Sequence, residues 1–127
     1  GPYYCFHRPY HLTSLEVPLT AARILLTGRP AMVPLARPVA EVCALAKRDL
    51  AAGETFDAIG ETCYRSWTMT VEQARGAKAV PVGLLEGGKV LKPVRKGDLL
   101  TTENAAPDAS TRLYALRQKQ DAMLYGG

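Results

Sequence analysis

The residues best suited to chemistry lie near the start of the chain. Arg8, Tyr10 and His11 lie on either side of Pro9 in the sequence, and Glu16 follows near the expected start of a helix. Arginine can bind a carboxylate or phosphate through two hydrogen bonds, while tyrosine and histidine can donate to a carbonyl oxygen. These four residues are therefore candidates for one wall of a substrate cleft. The alternative is that they pack a domain junction, where aromatic and basic residues are common.

Other catalytic or metal-binding patterns are missing from the sequence. It contains neither Gly-x-Gly-x-x-Gly nor the phosphate-binding Gly-x-x-x-x-Gly-Lys-Ser/Thr, so we expect no dinucleotide to bind in the usual way. Cys5, His7 and His11 form the one cluster of possible zinc ligands, but on a strand and turn they need not converge. Ser14 and Ser66 lie in no nucleophile motif. We expect no cofactor, no metal and no catalysis in this chain alone.

Composition narrows the class of protein. A chain of 127 residues amounts to one domain, and 47% hydrophobic with 22% charged residues is typical of a globular protein. No apolar run approaches the roughly 18 residues that span a bilayer, and no signal peptide is recognisable, so we expect a cytoplasmic location without membrane contact. Cys5, Cys43 and Cys63 cannot all pair, which favours reduced thiols. The net charge of +4 is dispersed, which argues against nucleic-acid binding.

Two segments of the sequence repeat one pattern. Residues 49–57 and 93–101 align at a constant offset of 44 positions, so that Gly53 falls on Gly97. The other equivalent pairs are Leu50 with Val94, Glu54 with Asp98, Thr55 with Leu99 and Phe56 with Leu100. A glycine that tolerates positive φ, then an acid, then a return to apolar residues is typical of a tight turn between strands. Unless the two turns are unrelated, residues 46–57 should superpose on 90–101 through a near two-fold rotation.

Helices and strands are predicted around these turns. Apolar residues at helical spacing over 15–27 predict a helix that ends at Gly28. Thr13 with Glu16 could form a capping box, but Pro18 would then remove an early helical hydrogen bond, so a start at Pro18 is more comfortable. Residues 28–38 contain Pro30, Pro34 and Pro38 and indicate an extended linker. The other predicted elements are a strand over 39–46, a helix from Thr70 to about Ala77, strands over 79–85 and 89–94 around a turn at 86–88, and a helix over about 110–124.

The last helix is predicted to be amphipathic. Leu113, Leu116 and Leu124 occupy one stripe, and the other carries Arg112, Arg117 and Lys119. We expect the leucine stripe to face the core.

The repeated segments resemble a known module. The stretch 46–56, Ala-Lys-Arg-Asp-Leu-Ala-Ala-Gly-Glu-Thr-Phe, is similar to the signature of SAF domains, and 92–101 supplies the second turn. These β-clip modules occur in sialic acid synthases, type III antifreeze proteins, sugar-acid dehydratases and pilus or flagellar assembly chaperones. The resemblance implies an α+β, mainly β fold: a pseudo-symmetric β-clip (SAF) domain over 39–127, with an N-terminal connector helix and a C-terminal helix.

A second resemblance concerns the segment before that domain. Residues 1–12 and 15–19 are similar to the end of the catalytic region in homoserine-dehydrogenase-like NAD(P)-dependent oxidoreductases that carry a C-terminal SAF domain. Residues 1–38 would then be the tail of a catalytic or connector region, made of a strand, a helix and a proline-rich linker. This implies a longer parent protein whose N-terminal nucleotide-binding domain binds NAD or NADP.

The resemblance leaves two main functions open. In the first, the chain forms a domain or subunit interface, or shapes a substrate cleft, within that oxidoreductase, with a homo-oligomer as a further partner. In the second, it is a stand-alone binding module for a sugar acid or another anion, with Lys47, Arg48 and Arg95 beside the turns as the ligand surface, although charged turn residues are commonly just solvated. A third class, a secretion-type assembly chaperone, is disfavoured because no signal peptide is recognisable.

Overall fold

The structure is a computed structural model that describes residues 4, 5, 7, 9 and 12–126. The chain divides into two compact units, Gly1–Ala36 and Arg37–Gly127. Across the described residues it forms three α-helices, one short 3-10 helix and two small antiparallel sheets, which is a small α+β architecture. The helices hold more residues than the strands, so the expectation of a mainly β chain is wrong.

The first unit contains helix α1 (Thr13–Thr27), whose sequence is apolar around most of its circumference. The predicted start at Pro18 is wrong. The carbonyl of Leu12 accepts from the amides of Leu15 and Glu16, both at 3.0 Å, so the helix is already established before the proline removes one amide donor. The predicted end is confirmed, because Gly28 adopts φ 63° and its amide donates to Ile24 at 2.8 Å.

The second unit begins with a two-stranded antiparallel sheet. Strand β1 (Ala40–Ala46) confirms the predicted strand at 39–46. It pairs with β2 (Tyr64–Thr70) in a register that sets Cys43 opposite Trp67. The sequence analysis did not predict β2, although aromatic and β-branched residues in Tyr-Arg-Ser-Trp-Thr-Met-Thr favour a strand. Its exposed middle residues obscure the alternation that marks a half-buried strand.

Helix α2 (Val71–Gly76) follows β2 without a break. Thr70 and Gln73 form the predicted capping box: the Gln73 amide donates to Thr70 Oγ1, and the Thr70 amide donates to Gln73 Oε1, both at 3.2 Å. Since two amides at the helix start are satisfied in this way, this short helix begins at a defined residue. The position of α2 therefore also determines where the residues that follow the helix enter the rest of the second unit.

The predicted hairpin over 79–94 is wrong. Pro81 begins a 3-10 helix (Val82–Leu84) instead, and the Leu84 amide donates back to the Pro81 carbonyl at 3.0 Å. Only β3 (Lys89–Val90) is a strand, and it pairs with β4 (Ala105–Ala106). The backbone of 82–84 curls on itself, and Ala79 forms an isolated antiparallel bridge with Thr101, so this segment does not pair with β3.

The two predicted turns pair with each other. Leu50 and Val94 exchange two backbone hydrogen bonds of 2.9 and 3.0 Å. The hydrogen bonds on either side form two equivalent pairs. The Gly53 amide donates to the Val90 carbonyl at 2.8 Å, and the Gly97 amide donates to the Ala46 carbonyl at 2.9 Å. The Val90 amide donates to the Glu54 carbonyl and the Ala46 amide to the Asp98 carbonyl, both at 2.9 Å. Moving each residue by 44 positions converts one bond of a pair into the other. The repeat is therefore confirmed as two equivalent turns, which we call the paired turns (46–57 and 90–101).

The core of the second unit follows the same symmetry. Leu50 and Val94 are 2% and 3% exposed, and the equivalent residues Phe56 and Leu100 are 2% and 0% exposed. Phe56 also meets Tyr64 of β2 edge to face, with ring centroids 5.9 Å apart. Each turn thus contributes matched apolar side chains to one core.

Helix α3 (Arg112–Tyr125) ends the second unit. Its first turn is capped by Thr111, whose Oγ1 accepts from the Tyr114 amide at 3.2 Å. The predicted leucine stripe does not face the core, since Leu113 and Leu116 are 54% and 52% exposed. Arg117, expected on the solvent side, turns inward instead because Glu41 of β1 provides a partner there.

Replacing Gly53 with valine should lower the free energy of unfolding by about 1–3 kcal/mol, because a β-branched residue strains this conformation. Gly53 and Gly97 have φ values of 87° and 93°, and a Cβ at either position meets no atom within 4 Å. The loss is therefore conformational and not steric crowding by neighbours. Gly53→Asn, which tolerates positive φ better, should lose less in urea unfolding. Equal losses for valine and asparagine would contradict a strained turn.

Candidate functional site

The candidate cleft residues of the first unit are only partly described. Glu16 lies in the first turn of α1. Arg8, Tyr10 and His11 lie outside the described residues, so their convergence with Glu16 stays a prediction. Cys5 and His7 are described and exposed. Within the described part of the chain, no group of three histidine, cysteine or acidic side chains is arranged to hold a metal ion.

The predicted ligand surface beside the paired turns is engaged in internal contacts. Lys47 Nζ donates to the carbonyls of Gly60 and Glu61, which ties down the loop after the first turn. Arg48 contacts the Glu54 carboxylate at 2.9 Å. The hydrogen bond from Arg48 is the main reason that the pKa of Glu54 is lowered. Two of the three proposed cations therefore have partners within the first turn or the loop after it, and Arg95 is exposed.

The acids of the repeat have a matching structural role. Glu54 Oε1 accepts from the Ala51 amide at 2.7 Å, and Asp98 Oδ2 accepts from the Arg95 amide at 3.0 Å. In both turns the carboxylate accepts from the amide three residues earlier, the same spacing as the acid of a capping box. The acid at this position is explained by turn formation without any catalytic role.

The loop that follows the first of the paired turns is anchored by Asp57. Its Oδ2 accepts from the Thr62 amide at 2.8 Å and from Thr62 Oγ1 at 2.6 Å, and its Oδ1 accepts from the Cys63 amide at 3.1 Å. Burial alone would raise the pKa of Asp57, but these hydrogen bonds outweigh it and lower the pKa to about 2. The ionised carboxylate therefore stabilises the folded loop that Lys47 also holds.

A second group of chemically suited residues lies between α2 and α3, and sequence reasoning missed it. Here the structure has a cleft of about 340 Å³, which we call the α2–α3 cleft. Its polar and charged lining consists of Glu41, Arg75, Lys78, Thr102, Tyr114, Arg117, Gln118, Asp121 and Tyr125. These residues come from β1, the end of α2, the loop before β4 and α3, so sequence spacing alone does not group them. The nearest signal was the basic pair Arg75 and Lys78 at the end of a predicted helix.

Arg117 is the centre of an ion-pair network in the α2–α3 cleft. Its guanidinium contacts Glu41 at 2.5 Å and Asp121 at 2.9 Å, and the side chain is 22% exposed. Burial would lower the pKa of Arg117, but the hydrogen bonds and negative charges of Glu41 and Asp121 together outweigh it and raise the pKa. Cys43 lies two residues after Glu41 on β1 and is fully buried, and burial is the main reason that the pKa of its thiol is raised. The thiol is therefore held in its unreactive protonated form.

The other two cations of the α2–α3 cleft are held differently. The Arg75 guanidinium carbon lies 3.8 Å from the centroid of the Tyr125 ring. Lys78 has φ 53°, the one positive φ outside glycine among the described residues. Its ammonium contacts Glu103 at 3.4 Å, and both side chains are about two-thirds exposed, at 65% and 66%. Such an exposed pair contributes little to stability.

Replacing Asp57 with asparagine should flatten the acid side of the stability profile. The folded-state pKa of about 2 lies below the ordinary value of 3.8, so ionised Asp57 stabilises the fold above about pH 4 and this contribution disappears as the pH falls to about 2. Urea unfolding at pH 2, 4 and 7 measures it. Asp121→Asn, in the α2–α3 cleft, is the comparison outside the loop. An unchanged pH profile in Asp57→Asn would contradict the role of this carboxylate.

The chain has no family match. No protein-family model matches its sequence, and no curated protein matches it either. In the part of the chain that the structure describes, no helix has the length and apolar character needed to cross a bilayer. The resemblance to SAF-containing oxidoreductases therefore rests on the paired turns and on the residues around Arg8 to Leu12.

Proposed function

We propose that this chain is the C-terminal, non-catalytic part of a homoserine-dehydrogenase-like NAD(P)-dependent oxidoreductase. In this proposal the second unit is a SAF domain that forms a domain or subunit interface, and the first unit leads into it from the catalytic region. The nucleotide site belongs to the missing N-terminal domain. Two features support the proposal: the paired turns with their exchanged hydrogen bonds, and the surface of α1.

Helix α1 is the observation that carries the interface role. No residue of α1 is buried, and Leu15, Leu25 and Leu26 are 64%, 85% and 86% exposed. Val17 and Leu19 add two further side chains that are each 68% exposed. A helix with such a broad apolar surface normally buries that surface against its surroundings. Apolar side chains exposed on this scale are typical of an interaction surface.

The chain by itself should therefore self-associate through α1. Leu26→Glu places a charge on that surface and should shift sedimentation toward the monomer. Met123→Glu, on α3, is the matched control because Met123 is 78% exposed and lies outside α1. Sedimentation velocity over a range of protein concentrations measures both. A wild-type chain that stays monomeric while α1 is protected from amide exchange would contradict the interface role, because the helix would then be covered within the chain.

In the parent enzyme, Arg8→Ala and His11→Ala should lower kcat or raise KM. Both side chains can hold the charged or carbonyl groups of a substrate, which alanine cannot. Arg95→Ala is the control, since Arg95 is an exposed cation beside the paired turns. Steady-state kinetics measure the effect. The opposite outcome, with Arg95→Ala impaired and Arg8→Ala unchanged, would favour the alternative function, a stand-alone module that binds a sugar acid or another anion.

A further inference from the structure

We propose that the α2–α3 cleft is a binding site for a small carboxylic acid with an apolar or aromatic body. The cleft lies wholly within the second unit, among residues 41–125. The inference does not depend on the proposed oxidoreductase parent. It rests on the shape of the cleft, on one unpaired arginine, on the charge balance and on a strained lysine at the rim.

The cleft has the size and the lining of a small-molecule site. Its volume of about 340 Å³ falls at the lower end of the range for ligand pockets, about 300–1,000 Å³. One part of its wall is apolar and includes Val71, Ala74, Val80, Pro81, Leu84 and Pro107. Apolar walls with a few polar groups at one end are typical of sites that bind amphipathic molecules. The body of the ligand would contact this wall.

Arg75 provides the group that would recognise a carboxylate. Its guanidinium lies over the Tyr125 ring at 3.8 Å, which holds the side chain in place. None of the carboxylates in the described part of the chain forms an ion pair with it. Because the five N–H donors lie in the plane of the guanidinium, contact with the ring leaves the donors at its edge available. A carboxylate can accept two of them side by side.

The charge balance of the cleft favours a monoanion. Arg117 is already bonded to Glu41 and Asp121, so these three groups together carry one negative charge. Lys78 is paired with Glu103, so Arg75 is the one lining cation without an acidic partner among the described side chains. One carboxylate matches the single charge of Arg75. A phosphate dianion would leave an excess negative charge beside Glu41 and Asp121, which disfavours it.

Lys78 lines the rim of the cleft, where its ammonium contacts Glu103, and its backbone is strained. The Lys78 amide donates to Arg75 at 3.0 Å and the Ala79 amide donates to Ala74 at 2.8 Å. These two bonds form the Schellman motif that ends α2, in which glycine is favoured at the position of Lys78. Lysine at φ 53° is therefore less favourable than glycine would be. Unusual backbone geometry of this kind is concentrated at functional sites, and here it places an ammonium at the rim of the cleft.

Titration of the ¹⁵N-labelled chain with sodium benzoate tests the site. Benzoate should give saturable amide shifts with a millimolar Kd, confined to residues 74–79 and to the part of α3 that lines the cleft. Benzamide, its neutral counterpart, should give none, and inorganic phosphate should bind more weakly than benzoate. Arg75→Gln should weaken benzoate binding about tenfold, since one bidentate charged contact is lost.

Two further variants make the test specific. Arg65→Gln is the matched control, because Arg65 also lies over an aromatic ring, that of Trp67, at 5.3 Å, but outside the cleft. It should leave benzoate binding unchanged. Lys78→Gly should weaken benzoate binding severalfold and at the same time raise the Tm, because it relieves the strained backbone. A merely structural role for Lys78 would change the Tm alone.

Several outcomes would overturn the proposal. Equal binding of benzamide would show that the carboxylate is not recognised, and tighter binding of phosphate would assign a different ligand class. Benzoate shifts centred on Arg65 and Trp67, or unchanged affinity in Arg75→Gln, would remove the site from the α2–α3 cleft. Self-association through α1 is measured separately, so failure here leaves the proposed function standing.

Discussion

The structure of the second unit depends on the pairing of its two equivalent turns. Leu50 and Val94 bond each other in both directions, and the bonds on either side repeat under exchange of the two copies. Buried amides and carbonyls must find partners, and here each turn supplies the partners of the other. The pairing also brings matched apolar side chains to one place, so that Phe56 and Leu100 are buried together. Neither turn could satisfy its backbone or cover its apolar residues alone.

The elements around this centre are positioned by polar contacts as much as by apolar burial. The capping box at Thr70 determines where α2 begins, and α2 places Arg75 and Lys78. Helix α3 contains no buried residue. Its contacts include the ion pairs of Arg117 with Glu41 and Asp121 and the contact of Tyr125 with Arg75. These contacts connect α3 to β1 and to the end of α2, and the residues that make them line the cleft.

The two proposals concern different parts of the chain and rest on different properties of the side chains there. Helix α1 exposes apolar side chains that favour contact with another surface over contact with water. The α2–α3 cleft instead contains a cation, Arg75, whose hydrogen-bond donors have no anionic partner among the described side chains. The proposed site would bind a ligand on the same chain for which we propose an interface role. Function is carried by such sites and not by the fold as a whole.

Local sequence was sufficient wherever one or a few neighbouring residues decide the conformation. Gly53, Gly97, the capping box of Thr70 and the end of α1 at Gly28 were all predictable, because positive φ and amide capping are properties of short segments. Tertiary structure decided the rest. Residues 79–85 look like one strand, but 82–84 form a 3-10 helix, and the partner of β3 is β4. Arg117 belongs to the polar stripe of α3 by spacing, yet it turns inward because Glu41, far away in sequence, lies within reach. The α2–α3 cleft was hidden for the same reason: its residues meet only after the paired turns have brought distant segments together.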